Sequence, residues 1–487
     1  VSELESMIDS FGDVAPGYLD WARFGPLSPA VRAEMHADAE MLGTGRPSGI
    51  DLVSDRTAEA RELLGRLMEL PADEIVLQPS TTHGLSHALF GLAGTVLVPA
   101  REFPAVRVAA GRAAEARGVL TVREIDPPDG IVRVENVAAA LTDDVTAVAL
   151  SLVDFRTGAL VDLAGLREAI GDRLLIVDAI QAFGVVDVDW GLADVVVGNG
   201  YKWLRAGRGT GFARFSPRAR ERIVPVLSGI SGMVGDAGTL GLPAPREGAA
   251  AYSVAPSDPL AASRLAASLR ELLDVGVADV AAHVRDRARD VISLADAFGV
   301  PVLTPRDAHA GIVALLPDPA DAAALAAAFA NHGVTVTARG SSIRVSTHLG
   351  SGSASIDLLG AALADAAARR VVAIDFSAER GPDPSASEVF TIEIPEEDAL
   401  LARPSDATDD GTPEQSDEAV AFDGNIAQVE IAASDTAEVV IATVEDDTDP
   451  YASDASSGAD VPLIVHSDGE SDADVSGDDE HRESVQI

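Results

Sequence analysis

The stretch "NGYKWLRAGRGTG" holds Lys202, the only lysine in 487 residues, where the other 35 basic side chains are arginines. An arginine stays protonated and cannot form a Schiff base, whereas a desolvated lysine can lose its proton and attack a carbonyl. A lone lysine in an otherwise arginine-only chain therefore points to amine chemistry. Three more stretches carry reactive or polar groups just after apolar runs. In "LLIVDAIQAFG", Asp178 ends a buried run, where a carboxylate needs a cationic partner, and Gln181 follows three residues on. In "LQPSTTHGLS", Ser80, Thr81 and Thr82 open a helix, whose free N–H groups and dipole suit an anion such as a phosphate. In "PAREFPAV", Pro104 holds Phe103 where its ring can lie against a planar ligand. Asn199 and Tyr201 reach the same edge as Lys202.

Each piece alone has an ordinary structural explanation. A helix N-cap accounts for the hydroxyls, a core aromatic for Phe103 and a satisfied structural carboxylate for Asp178. Together, an acid for a pyridine nitrogen, a Schiff-base lysine, a stacking ring and a phosphate cradle are the parts of a pyridoxal 5′-phosphate site.

The elements that must position these groups follow from periodicity. Apolar runs at Glu74–Leu77, Thr95–Val98, Val119–Ile125, Ala147–Leu152, Leu174–Val177, Asp194–Gly198 and Gly211–Phe215 read as seven strands. Amphipathic stretches such as Ala105–Arg117 and Leu163–Gly171 lie between them, which predicts an α/β fold with a largely parallel sheet covered on both faces. In such sheets ligands sit at the carboxyl ends of the strands. One helix is expected earlier, at Pro29–Met41, and residues 229–259 read as a long connection or flap. Helices at Pro259–Asp274, Ala281–Phe298, Asp318–His332 and Ala354–Arg370, with strands at Gly311–Leu315, Val334–Ala338 and Ile343–Ser346, predict a smaller α+β domain. The expected organisation is thus 1–258 for the cofactor domain, 259–370 for the small domain and 371–487 for an acidic, low-complexity tail.

Composition bounds the partners. The net charge of −42 argues against nucleic acid and anionic membranes. It is uneven: residues 371–487 hold 32 acids and three arginines, which suits a disordered tail or an interaction tail, and an acid-rich, lysine-poor chain also suits a salt-adapted source. There is no cysteine, hence no disulfide and no thiolate chemistry. No run is long and apolar enough to span a membrane, and the first residues lack a signal-peptide pattern, so a cytoplasmic location is expected. His83 and His87 lie one helical turn apart without an evident acidic third ligand, so no metal site is expected.

The motifs "STTHGLS", "REFPAV", "VDFRTG", "VDAIQAFG", "NGYKWL" and "SIRVSTHLGS" stand in an order and spacing that resemble the class V aminotransferases. These are the cysteine-desulfurase-like branch of the fold-type I pyridoxal phosphate enzymes, and the resemblance runs from about Tyr18 to Arg370. It implies a homodimer acting on an amino acid, with Lys202 as the internal aldimine lysine and Asp178 on the pyridinium nitrogen. Gln181 would bond the phenolic oxygen, and Thr81, Thr82, Asn199 and Tyr201 would hold the phosphate, with Ser257 reaching in from the second subunit. Arg344 would grip the substrate's α-carboxylate.

The departures matter for the activity. A persulfide-forming desulfurase needs a cysteine, and Phe103 stands where desulfurases carry a histidine. Phe155 replaces a frequent asparagine. Phe103 and the "YKWL" and "VDFRTG" segments look more like kynureninases and isopenicillin-N-epimerase-like members, but kynureninases carry histidine where this chain has Gln181. Amino transfer is the first expectation, with an epimerase, a kynureninase-like hydrolase or a C–S lyase as alternatives. A non-catalytic pyridoxal phosphate scaffold working through the acidic tail is the alternative of another class.

Overall fold

The structure, a computed structural model, describes residues 2–236 and 238–372, with side chains through residue 369. The acidic tail lies outside the described residues except for its first two positions, which end the last helix.

Seven strands form one sheet: β1 (Ile75–Gln78), β2 (Gly94–Pro99), β3 (Leu120–Ile125), β4 (Val145–Ser151), β5 (Leu174–Asp178), β6 (Val195–Asn199) and β7 (Gly211–Phe215). Their order is β1-β7-β6-β5-β4-β2-β3, and only β7 runs against the rest. Every strand expected from the apolar runs is present, with ends displaced by at most two residues. Burial explains why they were readable. Leu97, Val148, Leu150, Leu175, Val177 and Val196 pack on one face, and Val96, Val98, Ala147, Ala149, Ile176 and Val197 on the other. A sheet covered on both faces needs apolar side chains at successive positions, so these strands read as continuous runs.

A second sheet has order β8-β10-β9 and is antiparallel, from β8 (Ile312–Leu315), β9 (Thr337–Arg339) and β10 (Ser342–Ser346). It packs with Phe329, Leu325, Val291 and Leu359 around a core of its own. The strand expected at Val334–Ala338 begins three residues later, because Val334 and Thr335 instead bond back to Phe329 and to Gly17. Three helices before β1 were not singled out in the sequence: Glu3–Asp9, Pro47–Ser54 and Arg56–Met68. The first owes its start to a Ser2–Glu5 capping box.

The N-terminal segment ties the two sheets together. Leu19 donates to Thr335 O at 3.0 Å, Ser346 donates to Leu19 O at 2.7 Å, and Ala22 N reaches Ser346 Oγ at 2.9 Å. The same segment then crosses the loop after β6, where Gly25 N donates to Tyr201 O at 2.9 Å. The approach leaves no room for a side chain. A Cβ on Gly25 would stand 1.9 Å from the Lys202 carbonyl oxygen.

Gly25→Ala is therefore expected to lower stability by about 1–3 kcal/mol, the usual range for overpacking. Gly43→Ala, at a helix end with open space around it, is the control and should be nearly neutral. Urea unfolding midpoints of the two variants check this.

Candidate active site

The parallel strands all point their carboxyl ends to one edge, and a cavity of about 450 Å³ opens there. Its walls come from five strand ends. Thr81 and Thr82 follow β1, Phe103 follows β2, Ser151 ends β4, Asp178 ends β5, Asn199 ends β6, and Tyr201 and Lys202 follow it. Gln181, Phe155 and Arg208 complete it.

Lys202 is held by its backbone. Its carbonyl accepts from Arg205 N at 3.1 Å, and Ala206 N closes the loop onto Gly200 O at 2.8 Å. Arg205 adopts a left-handed φ of 55° and is anchored by Ser10, Pro26 O and the Phe11 ring. A residue in that region costs free energy, and its three anchors over-determine it. The lysine itself is buried, 7% exposed. Burial pushes its amine down to about 7. Asp178 opposes that shift, and the charges of Arg344, Arg339 and Arg208 add to it.

Asp178 is buried as well. Its Oδ1 accepts from Ile180 N at 2.9 Å, whereas Oδ2 is buried with no hydrogen-bond partner. Burial raises its pKa, and Glu102 nearby raises it further. An orphaned buried carboxylate oxygen costs about 1–3 kcal/mol, so it calls for a donor from outside the chain. Thr81 Oγ is a second buried orphan, at the start of the 11-residue helix Thr81–Gly91. The ring N–H and the phosphate of pyridoxal phosphate are donor and acceptor of the kind these two atoms lack, and Lys202 is an amine that can be neutral near pH 7. The residues present fit the group.

The remaining expected residues fall as follows. Phe103 is 38% exposed and meets Phe155 edge-on at 5.1 Å, 81° between planes. Gln181 donates to Ala22 O at 3.0 Å and accepts from Trp203 Nε1 at 3.1 Å, which fixes its amide against the cavity wall. Asn199 Oδ1 accepts from Tyr201 N and Thr210 Oγ, so it braces the turn that carries the lysine. Thr82 is exposed beside Thr81. Ser257 lines a neighbouring cavity of about 390 Å³ with Gly209 and Thr210, not the one that holds Lys202. Arg344, on β10, is buried behind Phe155. It donates to Phe155 O at 3.1 Å and lies 3.4 Å from Asp20, and its Nε–H has no acceptor.

Two features escaped the sequence reading. Arg208 lies over the Tyr201 ring at 4.7 Å and adds a cation to the wall. It lies inside the glycine-flanked "AGRGTG" run, and that setting was its only signal. Glu102 is buried under Phe103 and accepts from Ser151 N at 2.7 Å and Ser151 Oγ at 2.6 Å. Burial raises its pKa too.

The chain is similar to known proteins of one family. A family model described as Aminotransferase class-V matches residues 50–354. The chain is 29% identical over 223 residues to the cysteine desulfurase IscS of Acinetobacter baumannii (strain AYE), covering 42% of this chain and 55% of that one. It is 31% identical over 245 residues to a kynureninase of Deinococcus radiodurans, covering 48% and 56%. The matches thus span about half the length of these curated relatives. Among solved structures, the cystine C–S lyase C-DES superposes with a TM-score of 0.67 at 20% identity, over 73% of this chain and 99% of that one. The apo cysteine desulfurase of Thermococcus onnurineus NA1 gives 0.67 at 18%, over 74% and 98%. These two likenesses establish the fold.

The depressed Lys202 amine sets a pH dependence. The neutral amine is the nucleophile, and its fraction grows as pH rises through about 7 instead of through the ordinary lysine range near 10.5. Pyridoxal phosphate should therefore enter the apoprotein faster as pH rises from about 6 to about 8, and then level off. Stopped-flow growth of the visible band reads this. A rate still climbing toward pH 10 would show an ordinary lysine.

Proposed function

The chain belongs to the class V aminotransferase family, whose cofactor is pyridoxal phosphate, and we propose that it catalyses amino transfer from an α-amino acid. The observation that carries this reading is the single lysine of the chain, buried beside a carboxylate that lacks a partner on one oxygen.

Pyridoxal phosphate, when bound, supplies a carbonyl for the amine and an electron-withdrawing ring for the substrate's α-carbon. Each residue then has a physical task. Asp178, dry and without a second donor, keeps a proton on the ring nitrogen. Thr81, Thr82 and the N–H groups at the helix start hold the phosphate, with the Arg208 guanidinium on the same wall. Lys202 attacks as a neutral amine and later moves the proton at the substrate's α-carbon. Arg344, with an unpaired Nε–H, grips the α-carboxylate. Phe103 and Phe155 close the mouth against water.

The choice of amino transfer rests on the inventory of proton carriers. Among the described residues no histidine lines the cavity, and Tyr201 is pushed up by burial. Asp178 also lines the cavity with a raised pKa, but its task is at the ring nitrogen, so Lys202 is left to move protons at the substrate. One such amine suffices for amino transfer, whereas hydrolysis of a side chain, or departure of a poor leaving group, calls for a second acid–base group. No thiol in this chain can take up sulfur.

Incubation of the loaded enzyme with an amino-acid panel and pyruvate should give alanine in equal amount to the new 2-oxo acid. Release of ammonia in place of alanine would point to elimination, and appearance of the D-enantiomer to epimerisation. Arg344→Gln should raise KM about 10- to 100-fold, the weight of a lost charge-assisted hydrogen bond, with a smaller change in kcat.

A further inference from the structure

We propose that the substrate carries a second carboxylate on its side chain, and that Arg339 receives it. The inference rests on the reading of the site given above and names its substrate class.

The argument begins with sheet geometry. In the pair β9–β10, Arg344 stands opposite Thr337, and Arg339 is two residues further along β9. Residues two apart on a strand share a face, as do directly opposed partners. Thr337 Oγ lies 3.4 Å from Arg344 Nη2, which confirms the shared side. Arg339 is thus the diagonal neighbour of Arg344, with a spacing of roughly 7–8 Å. Its backbone is fixed, because it is the last paired residue before a two-residue turn whose Gly340 takes a φ of 56°.

The side chain has no such commitment. Arg339 is exposed, and no carboxylate lies within ion-pair distance of it among the described residues. Its one recorded partner is the Phe155 ring, 5.5 Å from the guanidinium. Phe155 lines the cavity and its carbonyl holds Arg344. Phe155 therefore touches both guanidiniums, one at its ring and one at its carbonyl, and itself lines the cavity that holds Lys202. The charges of both act on Lys202 inside.

Two like charges on one sheet face repel each other, and Arg339 destabilises the charged form of Arg344. An anion between them removes that penalty. The α-carboxylate satisfies one arginine, braced by Asp20. A second acid on the same small molecule satisfies the other, while its methylene stem lies on Phe103 and Phe155. A neutral side chain leaves Arg339 without a partner.

The test uses the full-length enzyme loaded with pyridoxal phosphate, titrated with L-aspartate, L-asparagine, L-glutamate and L-glutamine while the visible band is followed. At least one acid should half-saturate the change at about tenfold lower concentration than its amide. Arg339→Gln should bring that ratio close to one, and Arg339→Lys should restore part of it. A band that responds equally to acid and amide, or a ratio that survives in Arg339→Gln, would overturn this inference and leave the reading of the site standing. Absence of any band would overturn both.

Discussion

Asp178 and Lys202 are two ionisable groups taken out of water together without a full set of partners. Each is driven toward its neutral form by burial and pulled back by the other. One carboxylate oxygen has no donor at all. A protein interior tolerates such a pair only where the surrounding fold pays for it or where a ligand completes it. The rest of the molecule can be understood as the apparatus that holds these two side chains in place.

The sheet supplies most of that apparatus. In β1, β4, β5 and β6 the interiors are nearly all apolar, and polarity begins where the strands end, at Gln78, Ser151, Asp178 and Asn199. Reversal of β7 lets the chain leave β6, present Lys202 and return beside it within a short loop. The N-terminal segment locks that loop from outside through Gly25 and Arg205, and reaches the small sheet through Leu19 and Ala22. Displacement of the small sheet would thus be felt at Arg344 and at the lysine loop together.

Much of this was legible in the sequence, for physical reasons that differ by residue. The inner strands showed as runs because two-sided burial leaves no room for polar residues, whereas the edge strand β3 carries Arg123 and Glu124 between its buried ends. Lys202 stood out by its residue type, and Asp178 because it interrupts an apolar run. Of the helices before β1, Arg56–Met68 was harder, since it buries only a stripe and mixes arginine and glutamate through it. β9 is three residues long and mostly exposed, so the apolar pattern at Val334–Ala338 showed that a strand was there but not where it starts. Asp20 behind Arg344, and Glu102 beneath Ser151, depend on contacts 324 and 49 residues apart in the chain, which no local pattern encodes.

The most direct test is the visible absorption of the purified protein with pyridoxal phosphate, wild type beside Lys202→Ala. That variant contains no lysine at all, so no side-chain amine remains to form an imine. The account predicts a yellow band in the wild type that resists gel filtration and is missing from the variant. The same band in both proteins, or in neither, would contradict it.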